Sequence, residues 1–197
     1  MRKKERWEWI HSWCEDVNFT DKPRVLLVGD SITHNYQEKV REKLKDICYV
    51  DYVSTAYAID SKIYENLVKS FIQDTDYALI HFNNGLHGIH IQKRSYKKLL
   101  QKMLSFIPDT TKTTLALSTC VYKEGNKRFD TAWQKRVKER NEVMSELSQD
   151  KGYPIDDLYT VSMNISKSDR HVDGTHYKES GYEILATAVA KFIKENL

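Results

Sequence analysis

Short, continuous apolar runs alternate along this chain with longer stretches whose apolar residues recur every three or four positions. Arg24–Val28, Tyr49–Val53, Tyr77–Phe82 and Thr113–Ser118 are runs of the first kind, and Ile155 opens a further, shorter one. A run without polar alternation suits a strand covered on both faces. The segments between them, near Ile32–Lys45, Ser61–Ile72, Tyr96–Phe106, Phe129–Leu147 and Glu179–Asn196, carry helical spacing. In the last of these, Tyr182, Leu185, Ala186, Val189 and Phe192 with Ile193 fall on one face. Trp7, Ile10, Trp13 and Cys14 share that spacing, which predicts an amphipathic helical extension over residues 1–20, ahead of one domain over residues 21–197.

Strands that alternate with helices pair in parallel through right-handed crossovers. The expected fold is therefore α/β: a three-layer α/β/α sandwich on a central, mostly parallel five-stranded sheet, with flavodoxin-like layering. In such sheets reactive groups collect at the carboxyl ends of the strands, so the residues just after each run are the ones to inspect.

Composition narrows the partners. The chain has 197 residues, enough for one substantial core, and 31 Lys and Arg against 28 Asp and Glu. An excess of +3 on a mixed background makes no case for nucleic acid. The most basic stretch, Lys127–Arg140, interleaves Lys127, Arg128, Lys135, Arg136, Lys138 and Arg140 with Asp130 and Glu139, and reads as the solvated face of a helix. No apolar run is long enough for membrane insertion. The N-terminal stretch lacks the apolar core of a secretory signal, and the three cysteines, Cys14, Cys48 and Cys120, form no CxxC pair. The expectation is a cytoplasmic location with free thiols.

Two blocks carry the chemistry. Gly29-Asp30-Ser31 falls where the first run ends and the first helical stretch starts. Gly29 permits a tight turn there, Asp30 can bond backbone N–H groups around it, and Ser31 stands at a helix N-terminus, where developing negative charge is stabilised. A serine hydroxyl needs a neighbouring base. Asp173-Gly174-Thr175-His176, just before the last helix, offers one: a carboxylate three residues ahead of an imidazole can hold Nδ1–H and leave Nε2 free to accept the serine proton.

These blocks, at opposite ends of an α/β pattern, resemble those of the SGNH hydrolases, also called GDSL-like esterases. The resemblance covers nearly all of residues 24–197. It implies Ser31 as nucleophile, His176 as base and Asp173 as its partner, working without metal or organic cofactor. It also implies an oxyanion hole made of the Ser31 N–H, a glycine N–H after the second strand and an Asn side chain after the third. The chain departs from that pattern at two places. Ser54-Thr55-Ala56-Tyr57-Ala58 has no glycine, and Ala56 is the expected backbone donor, with Thr55 and Ala58 as neighbours. After the third strand comes His81-Phe82-Asn83-Asn84-Gly85-Leu86-His87-Gly88, where His87 takes the Asn position and Asn83 is the second choice, with Asn84 and Gly85 supporting. The Gly-Leu-His variant is similar to that of a carbohydrate-acetylesterase-like branch.

A metal at His81, His87, His90 and His34 is disfavoured by their irregular spacing; His81 is expected to point into the sheet and Cys120 to be a small buried residue. Polar and aromatic walls are expected around the site, from His87, His90, Lys93 and Arg94 on one side and Tyr122 and Lys123 on the other. The implied activity is hydrolysis of short-chain, chiefly acetyl, esters of a small polar or carbohydrate-type molecule. The alternatives are acyl transfer, lysophospholipase or thioesterase action on the same residues, or a non-catalytic binding role. Oligomeric state is not encoded in these patterns.

Overall fold

The computed structural model describes residues 3–197. β2 (Arg24–Gly29), β3 (Tyr49–Thr55), β4 (Leu79–Phe82), β5 (Lys112–Ala116) and β6 (Ile155–Asp156) pair in parallel, and a short N-terminal strand, β1 (Ile10–Trp13), adds antiparallel to β3. The sheet order is β1-β3-β2-β4-β5-β6. Helices α1 (Ser31–Leu44), α2 (Lys62–Asp74), α3 (Lys93–Leu104), α4 (Thr131–Lys151), α5 (Leu158–Met163) and α6 (Glu179–Asn196) cover the two faces.

β2 shows why the apolar runs become strands. Val25 and Leu27 belong to a core shared with α1, α5 and α6, whereas Leu26 and Val28 belong to one shared with α2, α3 and the later turns of α4. With a core on each side, every residue from Val25 to Val28 must be apolar, whereas Arg24 at the start of the strand is buried against Asp51. On α1, Ile32, Tyr36, Val40 and Leu44 recur every fourth residue and are buried against the sheet and α6. The three-layer expectation therefore stands, with six strands in place of five.

The N-terminal segment corrects the reading of a helical extension. Met1 and Arg2 of that span lie outside the described residues, and Ile10–Trp13 is an edge strand in register with Tyr52–Thr55. The physical reason is a second period hidden beneath the first. Trp9 and His11 approach His34, and Trp13 lies under the Arg41 guanidinium, so alternate residues of the segment face α1. An open β3 edge supplied main-chain partners, and the period of two prevailed over an incomplete helical stripe.

Candidate active site

β2 ends at Gly29 and α1 begins at Ser31, so one residue, Asp30, converts strand to helix. Asp30 is 2% exposed and caps α1, its Oδ1 accepting the Ile32 N–H at 2.9 Å. The Ser31 N–H heads the helix with no hydrogen-bond partner among the described residues, so the helix dipole and a free donor meet beside the Ser31 hydroxyl. Gly29 is needed for a reason other than turn freedom. Its φ is not left-handed, but a Cβ there would overlap the Thr33 side chain.

The other half of the site is the loop between Arg170 and Tyr177, which pair as an antiparallel bridge. Within it the Asp173 Oδ1 accepts the N–H groups of Thr175 and His176, both at 2.9 Å. Its Oδ2 lies 2.8 Å from His176 Nδ1 and 3.1 Å from His171 Nδ1. His176 Nε2 lies 2.9 Å from the Ser31 Oγ. The structure thus joins Ser31, His176 and Asp173 in one hydrogen-bonded line. Partial burial pushes the Asp173 carboxyl up, but the His176 N–H, the His176 ring and the Thr175 N–H outweigh it and hold the group at about 2. A carboxylate so firmly ionised keeps the proton of a neutral imidazole on Nδ1 and leaves Nε2 as the acceptor for the serine hydroxyl.

Two arginines anchor this rim, and sequence reading missed both. Arg170 is buried, its Nε donating to the Ile165 carbonyl at 3.2 Å and its Nη2 to that of Ser162. Its guanidinium lies 4.3 Å from the Tyr122 ring centre and 5.4 Å from that of Tyr177, at the foot of the Asp173–His176 loop. Arg140, read as part of a solvated basic face, is instead 2% exposed. Its Nη1 and Nη2 donate to the carbonyls of His87 and Gly88, and it stacks at 4.4 Å on Tyr96, whose hydroxyl donates to the Asn84 carbonyl. The periodicity of α4 contains the missed signal: Val137, Arg140, Asn141, Met144 and Leu147 share its buried stripe.

The oxyanion donors expected from sequence fare unequally. The Ala56 N–H donates to the Trp9 carbonyl at 3.2 Å, because the N-terminal segment continues the pairing past the end of β3; it is not a free donor. Asn83 directly follows β4, and its own N–H donates to the Val28 carbonyl at 2.9 Å, which places it beside the Ser31 turn. Its Nδ2 donates to the Ala116 carbonyl at 2.6 Å, and an amide has a second hydrogen. Asn84 is buried below it, and Gly85 packs so closely on Ser118 that a Cβ would overlap that side chain. His87 turns toward the N-terminal segment, its Nδ1 4.0 Å from the Glu5 carboxylate.

The remaining histidines are spent separately. His81 is fully buried with Nε2 3.0 Å from Asp156, His90 pairs with Asp60, and His34 stacks on His11. Among the described residues no group of three His, Cys, Asp or Glu side chains is arranged to hold a metal, and Cys120 is buried. No helix of the described residues is long and apolar enough to cross a membrane. An open groove of about 390 Å³ borders Asp173 and Thr175, lined also by Tyr122, Lys123, Glu124 and Trp133.

No protein-family model matches the chain, and no curated protein matches it in sequence. Solved structures do match in shape. The aryl esterase of M. smegmatis is 14% identical with a TM-score of 0.72, over 89% of this chain and 100% of that one. The lipase/acylhydrolase of Enterococcus faecalis is 19% identical with a TM-score of 0.68, over 89% and 97%. The catalytic domain of peptidoglycan O-acetyltransferase A from Streptococcus pneumoniae is 15% identical with a TM-score of 0.67, over 88% and 94%. At such identities the likeness concerns the fold alone, which the chain shares with structures described as an aryl esterase and a lipase/acylhydrolase.

Proposed function

We propose that the protein is a serine esterase that hydrolyses short-chain, chiefly acetyl, esters of small polar or carbohydrate-type molecules. The observation that carries this reading is the unbroken line from Ser31 Oγ to His176 Nε2 (2.9 Å) and from His176 Nδ1 to Asp173 Oδ2 (2.8 Å). Side chains 145 positions apart in the chain meet at hydrogen-bond distance on the carboxyl rim of the sheet. The fold likeness to acylhydrolases and esterases supports the same class.

In the proposed reaction Ser31 Oγ attacks the ester carbonyl as its proton passes to His176 Nε2. The Ser31 N–H and the second amide hydrogen of Asn83 hold the oxyanion. His176⁺, steadied by the Asp173 carboxylate, gives the proton to the departing alcohol, leaving an acyl-Ser31 ester. Water then attacks that ester, with His176 again taking the proton, and the carboxylic acid and Ser31 hydroxyl are restored. Short acyl chains fit the polar groove at Tyr122, Lys123, Glu124 and Trp133 better than long ones would. Lys93, expected to help line the site, is spent on Glu142 and Glu146 of α4.

Acyl transfer to a sugar hydroxyl is the second reading, favoured by the fold likeness to the peptidoglycan O-acetyltransferase domain. Release of p-nitrophenol and acetate from p-nitrophenyl acetate tests the first. Ser31→Ala is expected to lower kcat by about 10³-fold or more without unfolding the protein. Retention of activity by that variant would overturn the assignment. An acceptor-dependent product would move the reading to transfer.

A further inference from the structure

The row of rings that joins β1 to α1 takes no part in the reaction above. The His11 and His34 rings stack with centres 4.3 Å apart and planes 19° from parallel. Trp9 completes the cluster, 5.0 Å from His11 and 6.1 Å from His34. His34 stands three residues after Ser31 on α1, and side chains at that spacing are neighbours, with Cβ atoms roughly 5–6 Å apart. His34 therefore stands beside Ser31 on α1, on the side of β3, where its Nδ1 meets the Tyr52 hydroxyl, and Trp9 and His11 extend the cluster outward from it.

The cluster is both fixed and open. The Trp9 carbonyl accepts the Thr55 hydroxyl at 2.6 Å and the Ala56 N–H at 3.2 Å, which pins this residue to the end of β3. The Tyr52 hydroxyl lies 3.4 Å from His34 Nδ1 and orients that ring. Yet His11 is exposed, Trp9 and His34 are only half-buried, and Trp7, two residues further out, is 73% exposed. Burial and the neighbouring His11 hold His34 below the usual imidazole range, which favours a neutral ring. Flat apolar faces with ring N–H groups at their edges match a pyranose, whose faces are rich in C–H and whose rim carries hydroxyls. A long acyl chain, with no polar edge, would leave those ring nitrogens unpaired.

We propose that Trp9, His11 and His34 form the subsite for the sugar ring of an acetylated saccharide, seating it so that its ester carbonyl meets Ser31 Oγ. The proposal rests on Ser31 as nucleophile and names the substrate class that the site serves. The competing reading is that the rings only staple β1 to α1.

The test compares kcat and KM for a mono-O-acetylated methyl glucoside and for p-nitrophenyl acetate, in the wild type and in Trp9→Ala, Trp9→Phe, His11→Ala and His34→Ala. Expected is a rise in KM for the sugar ester of about tenfold in Trp9→Ala and His34→Ala, exceeding any rise for the aryl ester by a similar factor, with Trp9→Phe recovering most of it. His11 is exposed, so His11→Ala, for which the same selective rise in KM for the sugar ester is expected, carries the test even where the Trp9 variants fold poorly. Equal losses on both esters would show a staple and overturn the subsite. A wild type that cleaves the aryl ester but no acetylated sugar would also overturn it while leaving Ser31 in place. Aryl ester turnover that survives Ser31→Ala would instead sink the nucleophile, and the subsite with it.

Discussion

The two halves of the proposed machinery are held by different means. The Ser31 turn is continuous with β2, whose residues are buried between two cores, and the capping Asp30 is itself 2% exposed. The Asp173 and His176 side chains are 40% and 36% exposed and depend on hydrogen bonds within their own loop. The Ser31 hydroxyl is thus positioned by the burial that stabilises the whole sheet. The His176 imidazole is positioned by a few local contacts that the rest of the fold hardly needs. The consequence is an asymmetry: damage to the loop should silence chemistry at small cost in stability, whereas damage to the turn should cost both.

Asp173→Asn tests this asymmetry most severely. The amide no longer fixes the Nδ1–H tautomer, so kcat is expected to fall by about 10³–10⁴-fold. Stability at neutral pH should fall only modestly, since the carboxylate is substantially exposed and its interactions are screened. The pH dependence follows from the depressed carboxyl. A group held at about 2, against its ordinary 3.8, adds stability above the ordinary value and loses it as pH falls toward 2. Asp173 should therefore remain ionised down to about pH 3, given its carboxyl at about 2, so loss of its charge should not set the acid limb of wild-type activity above that pH. Rate–pH profiles with parallel thermal melts check both parts. A melt lowered as far as activity would erase the distinction between turn and loop.

Gly174→Ala sharpens the comparison inside the loop. Gly174 has φ 79°, and a Cβ there would overlap the Tyr122 carbonyl, whose own N–H bonds the Gly174 carbonyl at 2.8 Å. The backbone must shift, and a displacement of the imidazole by about 1 Å costs about 10²-fold in kcat. Gly125 is the control. It has φ 80°, but a Cβ there would meet nothing within 4 Å, so Gly125→Ala should show strain of about 1 kcal/mol and nearly normal kcat. If the two variants lose activity equally, steric contact with Tyr122 is not what holds the loop.

What could be read in the sequence divides along the same line. Continuous apolar runs and the four-residue recurrence on α1 and α6 are long-range packing written into local pattern, so the strands, helices and layers were legible. So was the Ser31–His176–Asp173 constellation, because both blocks sit at element boundaries that the fold brings to one rim. The N-terminal strand was not, because Trp7, Ile10 and Trp13 satisfy a helical period while Trp9, His11 and Trp13 satisfy a period of two, and only the open β3 edge decides between them. Nor was the loss of Ala56 as a donor, which follows from that same pairing. Arg140 was masked by the charges around it, although its place on the buried stripe of α4 was visible in principle. Arg170 has no such pattern, since its partners are backbone carbonyls and ring faces assembled only in the fold.

Arg170→Lys is expected to give the smallest of these effects, and it asks whether the loop is supported from below. Lysine keeps the charge but cannot fork between the carbonyls of Ser162 and Ile165 or lie flat against Tyr122. One buried carbonyl then loses its partner, a cost of about 1–3 kcal/mol, and the foot of the loop gains freedom. If Arg170 positions the base, kcat should fall several-fold at unchanged KM, on aryl and sugar esters alike, since both pass through His176. If Arg170 only fills the core, the melt should drop while kcat of the folded fraction stays at the wild-type value. The first outcome would mean that the exposed loop is less self-sufficient than its internal hydrogen bonds suggest. It would place the boundary between the two modes of support at the Arg170–Tyr177 bridge, where the loop leaves the core.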